Sequence, residues 1–191
     1  MDGSLLAPPT TAPVRLDLAC GQHPREGFAG VDLYAPGAER VDLRVYPWPW
    51  ADGSVSEAHC SHYVEHIPAD EVHGGPRDGQ DAFFAFFDEL HRVLAPGATA
   101  TVIVPCGRSS RGFQDPTHRR FIMAETFAYL AADWRKANGL DHYRVACDFV
   151  VHVVPSVDAA MNLLHPEAAA RRFNEGWNTS HDWHATLTRR P

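Results

Sequence analysis

Val14-Arg-Leu-Asp-Leu-Ala-Cys-Gly-Gln22, followed by Gly27-Phe-Ala-Gly-Val-Asp-Leu33, is the stretch on which the reading of this chain turns. The first part reads as a buried strand over Val14 to Cys20 that stops at Gly21, and the second as a short strand over Ala29 to Leu33 carrying Asp32 at its tip. A strand that ends at a glycine lets backbone N–H groups come close to a ligand. An acid at the tip of the next strand can accept two hydrogen bonds from a vicinal diol such as a ribose. Only Gln22 to Phe28 separates the two strands, so the helix expected between parallel neighbours is reduced to a turn.

Working outward, the 191 residues suffice for one domain with a sizeable core, placed at 14–191 behind a flexible tail over 1–13 that is rich in proline and threonine. Apolar residues at 45% and charged ones at 21% are ordinary for a globular chain, and the net charge of −7 argues against general coating of nucleic acid. Cys20, Cys60, Cys106 and Cys147 are widely spaced without a C-x-x-C pair, the pattern of free thiols in a reducing compartment. Met1 to Pro13 lacks a basic start and an apolar run, and no stretch approaches a membrane span. A cytoplasmic protein without membrane attachment is expected.

Further strands are expected over Arg40 to Arg44, Val55 to Ser61 and Ala98 to Pro105. Between the first two runs Tyr46-Pro-Trp-Pro-Trp-Ala-Asp-Gly-Ser54, an aromatic loop in which Pro47 and Pro49 forbid regular structure. Phe83, Phe86, Phe87, Leu90, Val93 and Leu94 recur at helical spacing and are closed by Pro96-Gly97. Residues 107–120 make a polar loop too long for a mere connector. A helix is expected from about Ala124 to Asn138, and Asp148 to Val154, apolar on both faces, reads as a central strand. After a helical region near 157–173, Trp183, Ala185 and Leu187 alternate with His184, Thr186 and Thr188 in a last half-buried strand over Ser180 to Arg190.

Six motifs in order, LDLACG (16–21), GVDL (30–33), VDLRVYPWPWADGSV (41–55), SHYVEHI (61–67), ELHRVLAPGATATVIVP (89–105) and DPTHRRF (115–121), resemble the class I S-adenosylmethionine (SAM)-dependent methyltransferases. The nearest pattern is a small bacterial and phage-type group with a shortened glycine motif. The resemblance implies an α/β, Rossmann-like, mostly parallel seven-stranded sheet. It has a reversed C-terminal strand, helices on both faces and a reduced first crossover helix. It also implies SAM as cofactor. Ala19, Cys20 and Gly21 would hold its methionine part, with Asp17 fixing the amino group directly or through water. Asp32, with Leu33 beside it, would bind the ribose hydroxyls, Asp42 and Leu43 would meet the adenine, and Ser61 and His62 would line the sulfonium end. A nicotinamide dehydrogenase would want G-x-G-x-x-G opening a helix, and after Gly21 come Gln22, His23 and Pro24.

His118, on the loop where acceptors bind in this fold, is the natural base for an oxygen or nitrogen acceptor, and His62 is the second catalytic candidate. Arg119 and Arg120 could pair with an acceptor anion, or form a solvated basic pair in an Asp-Pro turn. His62-Tyr-Val-Glu65-His66 also matches the H-x-x-E-H zinc pattern. In the methyltransferase pattern Glu65 and His66 instead stabilise the start of a helix, and no metal is expected. Trp48 and Trp50 read as core residues before stacking platforms. The expected activity is methyl transfer to O, N or C of a small molecule, sugar or peptide. The rivals are a nucleic-acid methyltransferase using Arg108, Arg111, Arg119 and Arg120, a zinc hydrolase using His62, Glu65 and His66, and a SAM-binding module without catalysis.

Overall fold

A computed structural model describes residues 13–157 and 159–191. The tail expected over 1–13 lies outside them except for Pro13. The strands are β1 (Val14–Leu18), β2 (Ala29–Asp32), β3 (Glu39–Arg40), β4 (Val55–Ser61), β5 (Glu71–Val72), β6 (Gln80–Asp81), β7 (Leu94–Pro105), β8 (Phe149–Val157) and β9 (Ser180–Arg189). β5 and β6 form a small separate hairpin, and the other seven form one sheet in the order β3-β2-β1-β4-β7-β9-β8. β1, β2, β3, β4 and β7 run parallel to one another, whereas β9 runs antiparallel to both β7 and β8. A single reversed strand therefore closes an α/β sheet, as expected.

Helix α1 (Ala82–Val93) explains itself from its sequence. Asp81 caps its start by accepting the Phe83 N–H at 2.8 Å. Phe83, Phe86, Phe87, Leu90 and Val93 form one buried stripe, each contributing about 1.5–3 kcal/mol by leaving water. They meet the sheet face carrying Leu16, Leu18, Ala58, Cys60, Ala100, Val102, Ala185 and Leu187, all at most 1% exposed. Along β7 and β9 the alternate residues Thr99, Thr101, Ile103, His184, Thr186 and Thr188 are only half-buried. The chain carries no helix between β1 and β2, β2 and β3, or β3 and β4, so the reduction expected for the first crossover extends to three. The expectation of helices on both faces narrows accordingly to a well-covered face and a sparsely covered one.

Two elements differ from expectation. β8 is the edge strand, not a central one, with Val150 51% and Val154 43% exposed. β9 takes the inner place because its alternation pairs on both sides, and Pro155 within β8 has no N–H for a second ladder. The single helix expected over Ala124 to Asn138 is broken: a 3₁₀ segment (Ala124–Leu130) gives way at the extended residue Ala131 to α2 (Ala132–Ala137). The break is held from outside, because the Asp148 carboxylate accepts the Ala132 N–H at 2.9 Å. The third strand is also shorter than expected, leaving Asp42 and Leu43 in the loop beyond it.

Candidate active site

The C-terminal ends of β1, β2 and β3 enclose a cleft of about 290 Å³, near the low end of the ~300–1,000 Å³ common for ligand sites. Ala19, Asp32, Leu33, Asp42 and Leu43, five of the residues that the resemblance assigns to the cofactor, line it together with Tyr34, Val41, Arg44, Tyr63 and His66. Tyr34, 82% exposed, follows the β2 acid and offers an aromatic face. Asp17, Cys20, Gly21, Ser61 and His62 lie behind or beside the cleft and do not line it.

Asp32 organises this end of the sheet. Its Oδ1 accepts the N–H groups of Tyr34 at 2.7 Å and Ala35 at 2.9 Å, and its Oδ2 accepts that of Gly21 at 3.1 Å. Partial burial opposes ionisation, yet these three donors outweigh it and hold the carboxyl below its ordinary pKa. One lone pair of Oδ2 stays free, which suits a ligand hydroxyl. Asp17 instead ties down the loop after β1, its Oδ1 meeting His59 Nδ1 at 2.7 Å and its Oδ2 accepting the Arg25 N–H at 2.7 Å. Burial pushes the Cys20 thiol up, and the Asp17 and Asp32 charges add to this, so it stays protonated near neutral pH. Asp42 is gripped by its neighbour Arg44, whose side chain lowers the carboxyl pKa.

The shortened glycine motif leaves its trace at Ala19, which adopts a left-handed φ of 53°. That conformation costs a non-glycine residue about 1–2 kcal/mol, and glycine would give back ~0.4–1 kcal/mol through its freer unfolded state. Ala19→Gly is therefore expected to raise Tm by about 1–4 °C in a chain of this size. A fall in Tm would show that the Ala19 methyl packs better than its backbone is strained. Gly30 is irreplaceable for another reason: a Cβ there would lie 2.8 Å from Pro24 Cβ and 3.0 Å from Cys20 Sγ.

Beside the cleft, the turn after β4 meets the loop after β7. The Arg119 and Arg120 N–H groups both donate to the Glu65 main-chain carbonyl, at 2.7 and 3.1 Å. Arg120 also bonds to the carbonyls of Ile67 and Pro68 and to Asp81, so it latches the loop and has no free charge for an acceptor. This docking brings His62, Glu65, His66 and His118 together. His118 is pinned through Nδ1 to the Gly112 carbonyl at 2.9 Å, and its Nε2 lies 4.0 Å from Glu65 Oε1. His62 Nδ1 lies 3.4 Å from the same oxygen, and this contact with the carboxylate raises the His62 pKa against the effect of its partial burial. The segment is a 3₁₀ turn over Val64–His66, entered through His62 at φ 55°. His62 and His66 thus do not share one helix face, and Glu65 and His66 do not open a helix.

A larger cleft of about 690 Å³ lies away from the strand ends, beside α1. Its guanidinium groups are already engaged: Arg77 and Arg92 with Glu89, Arg144 with the Asp78 carbonyl and Arg189 with the Leu94 carbonyl. Among the described residues no helix is long and apolar enough to cross a membrane. Trp48 is buried against Phe86, a core residue as expected.

No protein-family model and no curated sequence matches this chain. Solved structures do. A SAM-dependent methyltransferase from Archaeoglobus fulgidus superposes with a TM-score of 0.60 at 16% identity, covering 92% of this chain and 85% of that one. A SAM-dependent methyltransferase from Mesorhizobium loti gives 0.50 at 14% identity, covering 92% and 90%. Geranyl diphosphate C-methyltransferase from Streptomyces coelicolor, solved with Mg²⁺, geranyl diphosphate and S-adenosylhomocysteine, gives 0.52 at 13% identity, covering 94% and 73%. At such identities the likeness is one of fold, and the fold of this chain is that of the SAM-dependent methyltransferases.

Proposed function

We propose that this chain transfers a methyl group from SAM to an oxygen, nitrogen or carbon atom of a small-molecule, sugar or peptide acceptor. The observation that carries the reading is the cleft at the ends of β1–β3. It presents the free Asp32 lone pair and the Asp42–Leu43 wall, and it opens beside the four-residue cluster. Asp32 would hold the ribose hydroxyls, Gly21 would let the backbone approach the methionine end, and Leu43 and Tyr34 would sandwich the base. Bound SAM supplies a methyl carbon activated by the sulfonium. The protein's own work is then to align the acceptor and exclude water. His118, its Nδ1 occupied by Gly112, offers Nε2 as the atom that accepts a proton from an oxygen or nitrogen acceptor. His62 stands at the same carboxylate and would orient the acceptor.

The nucleic-acid reading loses support because Arg120 is spent on structural bonds and Arg108 on the Asn174 and Gly176 carbonyls. The hydrolase reading loses its shared helix face for His62 and His66. Calorimetric titration with S-adenosylhomocysteine tests the main reading. Saturable binding is expected. At 100 times Kd it should add about 2.7 kcal/mol of stability, which is ~5–10 °C in Tm for a chain of this length. No heat and no shift at millimolar ligand would remove it.

A further inference from the structure

Glu65, His66 and His118 each present one ligand atom, and these atoms all lie within 4.8 Å of one another. Glu65 is 1% exposed, yet among the described residues neither of its carboxylate oxygens has a hydrogen-bond partner, and the groups nearest Oε1 are imidazoles, His62 Nδ1 at 3.4 Å and His118 Nε2 at 4.0 Å. A buried carboxylate without partners carries a desolvation penalty of several kcal/mol unless a cation stands against it. The neighbouring arginines do not supply that cation: Arg119 and Arg120 reach Glu65 only through their backbone N–H groups, and the Arg120 guanidinium points to Ile67, Pro68 and Asp81.

The two imidazoles are set up in the same sense. Thr117 Oγ1 gives its proton to Asp115 Oδ1 at 2.6 Å, so towards His66 Nδ1, 3.0 Å away, it can only accept. His66 Nδ1 therefore carries the hydrogen, and the lone pair of the neutral ring is on Nε2. The Gly112 carbonyl, also an acceptor only, imposes the same tautomer on His118. Fixing one ring nitrogen as a donor so that the other offers its lone pair is how metal-binding histidines are oriented. A buried carboxylate without a hydrogen bond thus meets, from two separate loops, two imidazoles that each keep Nε2 unprotonated in the neutral ring.

We propose that Glu65, His66 and His118 bind one divalent transition-metal ion of the zinc class. Two nitrogens and one oxygen suit zinc, cobalt or ferrous iron better than magnesium or calcium. Ligand atoms around a tetrahedral zinc stand about 3.4 Å apart, given bonds of ~2.0–2.1 Å, so the trio contracts by about an ångström on binding. The His66 ring, half-buried and lining the cleft, has room to swing. Three protein ligands leave a position open on the cleft side. Resting on the methyltransferase reading, a bound ion would take up the His118 Nε2 lone pair and replace its role as base: the open position would take a hydroxyl or carboxylate oxygen of the acceptor, orient it and ease loss of a hydroxyl proton to solvent.

The test is a Co²⁺ titration of full-length protein stripped with a chelator. A visible absorption band that saturates at one equivalent, and that Zn²⁺ abolishes, is the expected result. Glu65→Gln and His118→Ala should each lose the band. Thr117→Val, which removes the hydroxyl linking His66 Nδ1 to Asp115 and leaves all three ligands in place, should weaken binding about 10–100-fold with the band retained. His66→Ala, at a half-exposed ring, carries the test if a buried substitution unfolds the chain. No saturable band, or a band unchanged in every variant, overturns the proposal. S-adenosylhomocysteine calorimetry on the same samples separates the two readings. Cofactor binding without a Co²⁺ band removes only the metal, and a band without cofactor binding removes only the methyltransferase.

Discussion

Glu89→Ala is expected to lower the unfolding free energy by about 3–5 kcal/mol, or ~6–20 °C in Tm at this chain length. Glu89 is fully buried in the middle of α1. Its carboxylate accepts the Trp48 N–H at 2.6 Å and an Arg92 N–H at 2.6 Å, and pairs with Arg77. Arg92 in turn donates to the Trp48 and Trp50 carbonyls. Removing the carboxylate would leave two guanidinium groups and a buried N–H without their acceptor. The damage should reach the cleft, because Trp48 Nε1 donates to the Leu43 carbonyl at 3.2 Å, and affinity for S-adenosylhomocysteine should fall with stability.

The pH dependence has a definite sign. Burial alone would raise the Glu89 pKa, but the Arg92 and Trp48 bonds and the arginine charges bring it below the ordinary value. Its contribution is therefore complete above the unfolded carboxylate pKa and is lost as pH falls through that value towards the lower folded one. Glu89→Gln should be less stable than the parent at neutral pH, with the gap closing below about pH 4. Denaturant melts of both proteins across this range provide the measurement, and a neutral-pH loss under about 1 kcal/mol would mean that the aromatic loop does not depend on the clamp.

Asp32→Ala is expected to weaken S-adenosylhomocysteine binding by about 10–150-fold, the equivalent of ~1.5–3 kcal/mol for a hydrogen bond to a charged group. The same change releases the N–H groups of Gly21, Tyr34 and Ala35. Asp32→Asn separates these effects: it keeps one oxygen for the turn and gives up the charged acceptor facing the cleft. Calorimetry should place its affinity between those of the parent and the alanine variant. Equal affinity in all three would locate the ribose away from β2.

Much of this was legible along the chain. The stripe of phenylalanines, the Pro-Gly stop and the strand-glycine and strand-acid pairs are local signals, and α1, β1, β2, β4 and β9 follow them. Five of the cofactor-side residues singled out line the cleft, since residues just past parallel strand ends face a common rim. Two local signals misled. Apolar residues on both faces of β8 suggested a central strand, although Pro155 pointed to an edge. Helical spacing from Ala124 onward hid the interruption at Ala131, which depends on a carboxylate far along the chain.

By itself the sequence determined the α/β class, the loss of the first crossover helix and the positions of the cleft acids. Each of these rests on residues within one turn or one strand of each other. Only the tertiary structure decided which partners those residues keep. Asp17 serves the loop through His59 and Arg25, and Glu89 holds the aromatic loop from 41 residues away. Glu65 and His66 are joined by His118 from the far side of β7. Such pairings depend on how distant loops dock, and one-dimensional spacing carries no information about that docking.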